Sequence, residues 1–268
     1  MAIYSDEKIE FFDRTIRDKN FKMPQAHFHD KHELYFLEKG KTKYFIGSEI
    51  YLLDPGDMIF VPKGEFHKTN GENNSDIERL LFVFDDTFVG DSYREYINEL
   101  KMDKFIRFPP EKIYKLKGIF HKIEQENRLK AKGYFELEKL YLREALIMIS
   151  RYRLKENTIK FSESYKIIQD AAKYISTNYN TDLSLHSLSQ RYAISPSHFS
   201  KLFKSVTGVG LNEYINIARI SAAEKLLIQK QASITTIAAQ CGFNDSNYFA
   251  AVFKKQKGIT PKKFSINR

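Results

Sequence analysis

Apolar and polar residues alternate along short runs between positions 32 and 84. The runs cover residues 33–37, 41–46, 49–53, 58–61, 67–70 and 79–84. Turn-forming residues stand between the runs, and these are Gly40, Gly47, Asp54-Pro55-Gly56 and Gly71. Because regularly spaced short strands with such turns are typical of antiparallel barrels and sandwiches, we predict a small β-barrel or sandwich in this region.

After Asp85 the apolar positions recur at helical spacing. One stripe consists of Ile113, Leu116, Phe120 and Ile123, and a second consists of Leu137, Leu140, Tyr141, Ala145 and Met148. Lys132-Gly133 separates the stripes and Phe108-Pro109-Pro110 precedes them, so two helices are predicted. The stripes can pack on the barrel or against a second copy of the chain, and the spacing leaves both open. The polar stretch 151–161 is predicted to be a linker.

The region beyond residue 161 has helical spacing and contains an internal repeat. The face of its first helix consists of Ile167, Ile168, Ala171, Ala172 and Ile175. The repeat is carried, at a spacing of 50 positions, by Phe199, Phe203, Lys204, Gly208 and Tyr214, and then by Phe249, Phe253, Lys254, Gly258 and Phe264. Leu188 corresponds to Ile237 at a spacing of 49, so the turn of one copy differs by one residue. A repeat of this length indicates one supersecondary unit used twice.

The first copy has the signals of a helix-turn-helix. A short helix is predicted at 185–192, and Ala193-Ile194 forms the turn. Ser195 is a typical N-cap and Pro196 a typical first helical residue, so a second helix is predicted to start there and to end near Thr207. Two short helices across such a turn form a helix-turn-helix.

The second copy has the same order of signals. A helix is predicted at 234–240, Gly242 supplies the turn, and Asp245 or Ser246 starts the next helix. The segment 212–229 between the copies is predicted to be a helix about 27 Å long at ~1.5 Å per residue. Since successive major-groove faces of B-DNA lie about 34 Å apart, one chain could read two adjacent major grooves.

The positive charge is concentrated in the helical region at the end of the chain. The whole chain carries 43 basic and 34 acidic residues, a net charge of +9. Residues 162–268 contain 14 basic and 6 acidic residues, whereas the remainder contains 29 and 28. This distribution indicates a module that binds a polyanion, joined to a nearly neutral one.

The sequence also narrows the expected location of the protein. No run approaches the roughly 20 apolar residues of a membrane span, and the first residues lack the pattern of a secretion signal. A single cysteine, Cys241, excludes an internal disulfide and any multi-cysteine metal site. We therefore expect a cytoplasmic protein without a membrane partner, in which Cys241 is a buried structural residue rather than a reactive methyl acceptor.

The second copy of the repeat carries an ordered set of motifs, which are Ile237-Ala238, Gly242-Phe243, Tyr248-Phe249, Phe253-Lys254-Lys255 and Gly258-Ile259-Thr260-Pro261. With their counterparts in the first copy, these motifs resemble the signature of AraC-type transcriptional regulators over roughly the last 100 residues. The resemblance implies a domain of two helix-turn-helix units and double-stranded promoter DNA as the partner.

The resemblance also places the predicted DNA contacts on the second helix of each unit. These are Ser197, Ser200, Lys201 and Lys204 in the first unit, and Ser246, Asn247 and Lys254 in the second. Ala250 and Ala251 stand where other members carry an arginine, so the second unit is expected to position the protein more than to read bases. Lys201 can reach guanine O6 or N7, so the first unit is expected to carry most of the specificity.

The barrel region resembles both halves of the cupin pattern, through His27, His29, Glu33 and Gly40 and then Gly56, Pro62, Gly64 and His67. In catalytic cupins the imidazoles and the carboxylate bind a divalent metal, and this ligand set suits Fe, Mn, Ni or Zn. In sensor barrels of AraC-type regulators the same residues bond an effector's hydroxyls without a metal. We favour the effector pocket, with no resident cofactor and no catalytic residue, and keep the metal as the alternative use of these four side chains.

Period-two alternation along the first barrel strand assigns the neighbours of Glu33 to its two faces. Tyr35 shares the face of Glu33 and is expected to line the effector pocket. His32 points to the opposite face, where we expect a surface histidine.

The sequence thus predicts an α+β chain of three segments: a cupin-like barrel at 1–90, a helical dimerisation and linker region at 91–160, and a double helix-turn-helix at 161–268. The predicted function is a homodimeric regulator, an activator that contacts RNA polymerase, which responds to a small molecule such as a sugar. Two rival hypotheses remain open. One is a metal-dependent cupin enzyme with a regulatory DNA-binding domain, and the other is a regulator whose barrel is only a dimerisation scaffold.

Overall fold

The computed structural model describes residues 11–19, 21, 23, 27, 29–72, 75–154, 163–230 and 232–266. The chain divides into two compact units, Met1–Lys160 and Phe161–Arg268. The predicted linker at 151–161 lies mostly outside the described residues, and its first two residues complete a helix.

The described part of the first unit contains eight strands, which are β1 (Phe11–Arg17), β2 (His32–Lys39), β3 (Lys41–Ile46), β4 (Glu49–Leu53), β5 (Met58–Val61), β6 (His67–Glu72), β7 (Ile77–Phe84) and β8 (Phe105–Ile106). They form a five-stranded sheet in the order β1-β7-β2-β5-β8 and a three-stranded sheet in the order β4-β3-β6. All strand pairs are antiparallel. The predicted barrel is confirmed, and each of the six predicted runs lies within one of the strands β2 to β7.

The interior of the barrel is lined by side chains from both sheets. Its apolar part consists of Tyr35, Leu37, Tyr44, Ile46, Leu53, Ile59, Val61, Ile77, Leu81, Val83 and Phe105. Strand β1 escapes the sequence prediction because polar residues occupy its inner face. Asp13 lies opposite Leu81 and Arg17 lies opposite Ile77, so both share the face of interior residues. An alternating pattern of apolar residues is therefore missing from β1.

The described part of the first unit also contains four α-helices: α1 (Asp86–Val89) and α2 (Arg94–Met102) lie between β7 and β8, and α3 (Pro110–Leu129) and α4 (Tyr134–Tyr152) follow β8. They cover the outer face of the five-stranded sheet, where Leu34, Phe36, Phe60 and Phe82 pack with Phe120. Both predicted helices exist, and their apolar faces pack on the barrel, which is one of the two arrangements that the spacing leaves open.

The predicted stripe of α4 is partly wrong. Leu140 is exposed, whereas the residues of α4 packed in the core are Leu142, Ala145, Leu146 and Ile149. The buried face is therefore rotated along the helix relative to the prediction. Apolar residues surround much of α4, so the spacing alone does not distinguish the face that meets the sheet.

His32 lies on the outer face of the sheet as the alternation predicts, but the expected surface position is wrong. Its side chain is fully buried against Phe60, with ring centroids 5.2 Å apart. Its Nδ1 accepts from the Lys63 backbone N–H at 3.0 Å, and its Nε2 lies 3.0 Å from an Asp86 carboxylate oxygen. Burial lowers the pKa of His32 despite this carboxylate. The prediction failed because strand alternation does not reveal that helices cover this face.

The described part of the second unit is helical, with α5 (Glu163–Thr177), α6 (Leu185–Arg191), α7 (Pro196–Thr207), α8 (Leu211–Gln229), α9 (Ile234–Gln240), α10 (Ser246–Lys257) and α11 (Pro261–Ile266). Each predicted helix is present, and the phenylalanine pairs of the repeat, Phe199 with Phe203 and Phe249 with Phe253, are fully buried. Among the described residues no helix combines the length and apolar character required to cross a membrane.

The two helix-turn-helix units repeat their caps as well as their cores. Ser184 caps α6 and Ser233 caps α9, each accepting a bond from a backbone N–H in the first turn. Gly208 and Gly258 end α7 and α10 with positive φ angles of 83° and 76°. The connection between α9 and α10 is one residue longer than that between α6 and α7, which confirms the predicted difference.

Cys241 is fully buried in the core of the second helix-turn-helix, beside Ile237, Phe243 and Phe249. Burial raises the pKa of its thiol to about 11, although the charge of Arg219 opposes this shift. The thiol is therefore protonated at neutral pH and poorly nucleophilic, as expected of a structural cysteine.

The turn of the second unit depends on a glycine, and we expect Gly242→Ala to be the more damaging of two matched substitutions. Gly242 has φ +83°, and an added Cβ would lie 2.9 Å from Asn180 Cα. Gly258 has φ +76°, with nothing within 4 Å of an added Cβ. Gly258→Ala should cost about 1–2 kcal/mol for the left-handed backbone, and Gly242→Ala about 2–5 kcal/mol because overpacking is added. Urea unfolding of both variants provides the measurement, and equal losses would contradict the close approach.

Candidate effector site and nucleic-acid interface

Three histidines of the cupin-like pattern meet at one end of the barrel. His27 and His67 form a two-way backbone bridge with N–O distances of 3.1 and 2.9 Å. The imidazole centroids lie 4.5 Å apart for His27 and His67 and 5.0 Å apart for His29 and His67. One ring nitrogen of each histidine lies within 4.8 Å of the other two. The structure thus brings together three side chains that are separated by up to 40 positions in the sequence.

Glu33 projects from β2 toward these histidines. One carboxylate oxygen, Oε2, lies 3.4 Å from His29 Nε2 and 3.6 Å from His67 Nε2, and the other, Oε1, accepts from the Tyr44 hydroxyl at 2.9 Å. Burial alone would raise the pKa of Glu33, but the interactions with His29 and His67 outweigh burial and hold this pKa well below its usual value. Glu33 is therefore an ionised carboxylate inside the barrel.

Hydrogen bonds at Nδ1 of His29 and His67 fix the orientation of these two rings relative to Glu33. His29 Nδ1 lies 2.7 Å from the Lys31 carbonyl and His67 Nδ1 lies 2.9 Å from the Glu65 carbonyl, so each Nδ1–H donates to a carbonyl. Burial would lower the pKa of His29, but its hydrogen bond and charge interaction with Glu33 raise it overall. Within the described ranges, the buried His67 Nε2 has no hydrogen-bond partner. This nitrogen is thus available to a bound group.

Hydroxyl groups continue the polar surface along the interior. Tyr35 is buried as predicted on the face of Glu33, and its hydroxyl lies 3.3 Å from that of Thr42. Tyr35 and Tyr44 pack edge to face with centroids 5.0 Å apart. Thr69 lies opposite Tyr44 in the sheet, and no described residue is a hydrogen-bond partner of its buried hydroxyl. Hydroxyl, imidazole and carboxylate groups therefore lie together in the interior of the barrel.

The residues of this surface that the sequence analysis missed are Tyr44, Thr69 and Arg79. Tyr44 and Thr69 were overlooked because the cupin pattern names only histidines and a carboxylate. Arg79 stands at an inner position of β7, in phase with Leu81 and Val83. A lone charged residue on the apolar face of a strand was a signal that could have been found from the sequence.

The four cupin-like side chains could hold a metal ion, and the donor set is chemically suitable. Three imidazole nitrogens and a carboxylate suit Zn and non-haem Fe. Both oxygens of Glu33 are already engaged, one by Tyr44 and the other by His29. A metal would have to displace the bond to His29, whereas a ligand hydroxyl could join the existing network as it stands.

In the second unit, α7 presents one face to the core and the opposite face to solvent. Ser197, Lys201 and Lys204 are exposed and Ser200 is half-buried. These positions share one face because they recur at spacings of three and four residues. Ser195 caps the helix and accepts from the His198 N–H at 3.4 Å. The sequence analysis omitted His198, which is also exposed on the first turn.

The corresponding face of α10 carries shorter side chains. Asn247, Ala251 and Lys254 are exposed, while Ser246 and Ala250 are half-buried. The residue that caps α10 is Asp245, whose carboxylate accepts from the Asn247 and Tyr248 N–H groups.

The negatively charged cap at the start of α10 disfavours binding of a phosphate at the N-terminus of that helix. Helix N-termini attract anions, but a carboxylate at the cap already occupies this position. The neutral Ser195 cap of α7 leaves its N-terminus positive. Tyr248, which the motif contains but the predicted DNA contacts do not, is exposed, and its hydroxyl accepts from Asn216 Nδ2 at 3.0 Å.

Comparison with known proteins matches both units to described families. Residues 13–102 match the model of an AraC-like ligand binding domain, and residues 188–266 match that of a helix-turn-helix domain. The chain is 23% identical over 251 residues to the HTH-type transcriptional activator RhaR of Mannheimia succiniciproducens, covering 93% of this chain and 90% of that protein. It is 22% identical over 255 residues to RhaS of Escherichia coli, also named a transcriptional activator, covering 90% and 88%.

A similar solved structure is that of ToxT from Vibrio cholerae O395, at 15% identity and a TM-score of 0.38, covering 97% of this chain and 98% of that one. A ligand-binding barrel combined with two helix-turn-helix units defines a DNA-binding regulator. The two family matches lie in the two compact units, and the chain belongs to the AraC family of transcriptional regulators.

The ion pair between His29 and Glu33 generates a prediction on pH dependence. Because the folded-state pKa of His29 is raised above 6.5, the pair contributes stability that is complete below that value and is lost as the pH rises through the folded pKa. Glu33 has a lowered pKa and stays ionised throughout this range. Glu33→Gln should therefore lower the melting temperature more at about pH 6 than at about pH 8.5. Thermal melts at both pH values test this, and an equal loss would argue against a charged His29.

The unequal faces of α7 and α10 generate a prediction on DNA specificity. Lys201→Ala should weaken binding to the best site by about 1–3 kcal/mol and relax the preference at one base position. Lys254→Ala should weaken binding to all sequences alike, because a lysine on a phosphate carries no sequence information. Selection from random DNA followed by titration with the selected site measures both effects. The reverse pattern would exchange the roles of the two helices.

Proposed function

We propose that the protein is a one-component transcriptional activator whose barrel binds a small polyhydroxylated molecule, such as a sugar or a related metabolite. The supporting observation is that buried polar atoms of the interior, His67 Nε2 and Thr69 Oγ1, have no hydrogen-bond partner among the residues that the structure describes. An unsatisfied buried polar group costs roughly 1–3 kcal/mol. A ligand hydroxyl can donate to the imidazole nitrogen and accept from the threonine hydroxyl, so binding would remove both costs.

The DNA-binding half of the proposal rests on the two exposed recognition faces and on charge. Ser197, Ser200, Lys201 and Lys204 would contact DNA from α7, and Ser246, Asn247 and Lys254 from α10. The excess of basic residues in 162–268 would supply the sequence-independent attraction to phosphate. Promoter DNA is thus the proposed macromolecular partner.

Activation and dimerisation belong to the same proposal. The relatives RhaR and RhaS are named transcriptional activators, which supports activation through RNA polymerase. Large apolar side chains remain exposed on α3 and α4, with Tyr114, Leu129 and Leu140 each more than half exposed. Burial of these side chains against a second copy would remove them from water, which supports a homodimer through the helices.

A metal-dependent cupin enzyme is the second candidate, favoured by the convergence of His27, His29 and His67. The engagement of Glu33 by Tyr44 and His29 supports the effector pocket over this candidate. The relatives are regulators rather than enzymes, which supports a role without catalysis. The metal would bind to the same four side chains, so the two candidates differ in what occupies one site.

The test of the effector pocket uses Thr69→Val, which removes a hydroxyl and keeps the shape of the side chain. Because Thr69 Oγ1 has no partner, the effector-free protein should melt at the same temperature or higher. The response of a reporter promoter to the inducing molecule, identified from a panel of sugars and sugar acids, should require a roughly tenfold higher concentration. Reporter transcription and thermal melts are measured side by side.

His67→Ala should abolish the response, while His121→Ala serves as the control because His121 is exposed on α3, away from the barrel interior. DNA binding should be unchanged in all three variants. A normal response in both Thr69→Val and His67→Ala would contradict the pocket. A stoichiometric metal in the purified protein that is absent from His67→Ala would favour the enzyme instead.

A further inference from the structure

Arg79 is a buried cation in the interior of the barrel. It is 3% exposed and lies on β7 opposite Thr15 of β1 and Leu37 of β2. Its guanidinium carbon lies 6.0 Å from the centroid of the Tyr35 ring. Arg79 therefore shares the interior with the hydroxyl groups of the proposed effector pocket.

More than half of the N–H donors of this guanidinium are unused. Nη2 donates to Asp13 Oδ2 at 2.8 Å, whereas the buried Nε and Nη1 have no partner in the part of the chain that the structure describes. Burial of charged donors without acceptors is costly. Nε–H and Nη1–H point to different sides of the guanidinium, so a ligand carboxylate can accept a charge-assisted bond from Nη1 while Nη2 keeps its bond to Asp13.

The charges around Arg79 do not balance. Arg17 lies on the same interior face of β1 and its guanidinium carbon lies 4.0 Å above the Phe21 ring. Burial and the positive charge of the neighbouring Arg79 lower the pKa of Arg17. Asp13 supplies one negative charge, and the charge of Glu33 is taken up by His29. Among these described residues, one positive charge is left over at this end of the interior.

We propose that the barrel recognises a hydroxylated carboxylate, a hexuronate, whose carboxylate accepts a charge-assisted hydrogen bond from Nη1 of Arg79. This inference rests on the proposed effector pocket and names its ligand class. A carboxylate carries one negative charge and balances the excess, whereas a phosphate monoester carries about two and would leave a buried anion unpaired.

The spacing along β2 allows one small ligand to contact both Arg79 and Glu33. Glu33 and Leu37, which lies opposite Arg79, are four residues apart, or about 13 Å at ~3.3 Å per residue. The Arg79 guanidinium carbon lies 6.0 Å from the ring of Tyr35, which stands between these two positions. Tyr35 lies midway on the same face and can accept or donate to ring hydroxyls.

The experiment compares D-galacturonate and D-glucuronate with D-galactose, D-glucose and D-glucose 6-phosphate. Binding of each probe to the full chain is measured by calorimetric titration for the wild type, Arg79→Gln and Arg14→Gln. Arg14 is the matched control because it lies on the outer face of β1 and pairs with Glu38 at 2.6 Å. Thermal melts of each variant without ligand report on folding.

We expect a hexuronate to bind the wild type at least about tenfold more tightly than its neutral hexose and than the sugar phosphate. Arg79→Gln should bring acid and hexose to within about twofold, and because it also removes the ion pair with Asp13, its melting temperature without ligand establishes that the variant is folded. Arg14→Gln should keep the preference for the acid. Should Arg79→Gln unfold, Arg79→Lys retains the charge without the planar guanidinium and should keep only part of the preference.

Other results would overturn the inference. These are equal binding of hexuronate and hexose, preference for the sugar phosphate, an unchanged preference in Arg79→Gln, or no binding of any probe. If the barrel binds a neutral hexose and Thr69→Val weakens that binding, the proposed effector pocket is supported and the inferred specificity for a carboxylate is wrong. If a hexuronate binds in a manner that depends on Arg79 but does not change reporter transcription, the carboxylate site is supported and the proposed regulatory function is contradicted.

Discussion

The five-stranded sheet is buried on both faces, and the rest of the first unit depends on this constraint. Its outer face is apolar and lies beneath helices, so that Leu34 and Phe36 pack with Phe120. This packing can stabilise the sheet without help from the interior. The inner face is therefore able to carry charged and hydroxyl groups such as Glu33 and Arg79, which a barrel held together only by its interior could not accommodate. The helical layer thus permits a polar pocket in a small barrel.

Sequence patterns predicted an element correctly where its periodicity alone determines the structure. They failed where packing between elements determines which face is buried. The strands β2 to β7 and both helix-turn-helix units follow from turn residues, caps and the repeat, so they could be predicted closely. The inner face of β1 carries Asp13 and Arg17 in place of apolar residues, and the strand went unrecognised. His32 was misplaced for a related reason, since a strand does not reveal the layer above it.

The candidate site also combines residues that a sequence motif identifies with residues that only the fold brings together. The cupin-like motif named His27, His29, Glu33 and His67, and these side chains do meet. The hydroxyl groups of Tyr44 and Thr69 come from the opposite sheet and belong to no motif, so only strand register brings them to the site. Arg79 could have been noticed as a charge among apolar inner positions, but its unpartnered donors are a property of the folded interior alone.

The second helices of the two helix-turn-helix units, α7 and α10, begin with different caps. Ser195 starts α7 with a neutral cap, whereas Asp245 starts α10 with a carboxylate. Alanine replaces lysine when Lys201 is compared with Ala251. A single chain thus carries two helix faces of unlike chemistry. The internal repeat preserves the caps, the glycine ends and the phenylalanine cores of the two units but not the chemistry of their exposed faces, so the two copies are equivalent in fold and distinct in surface.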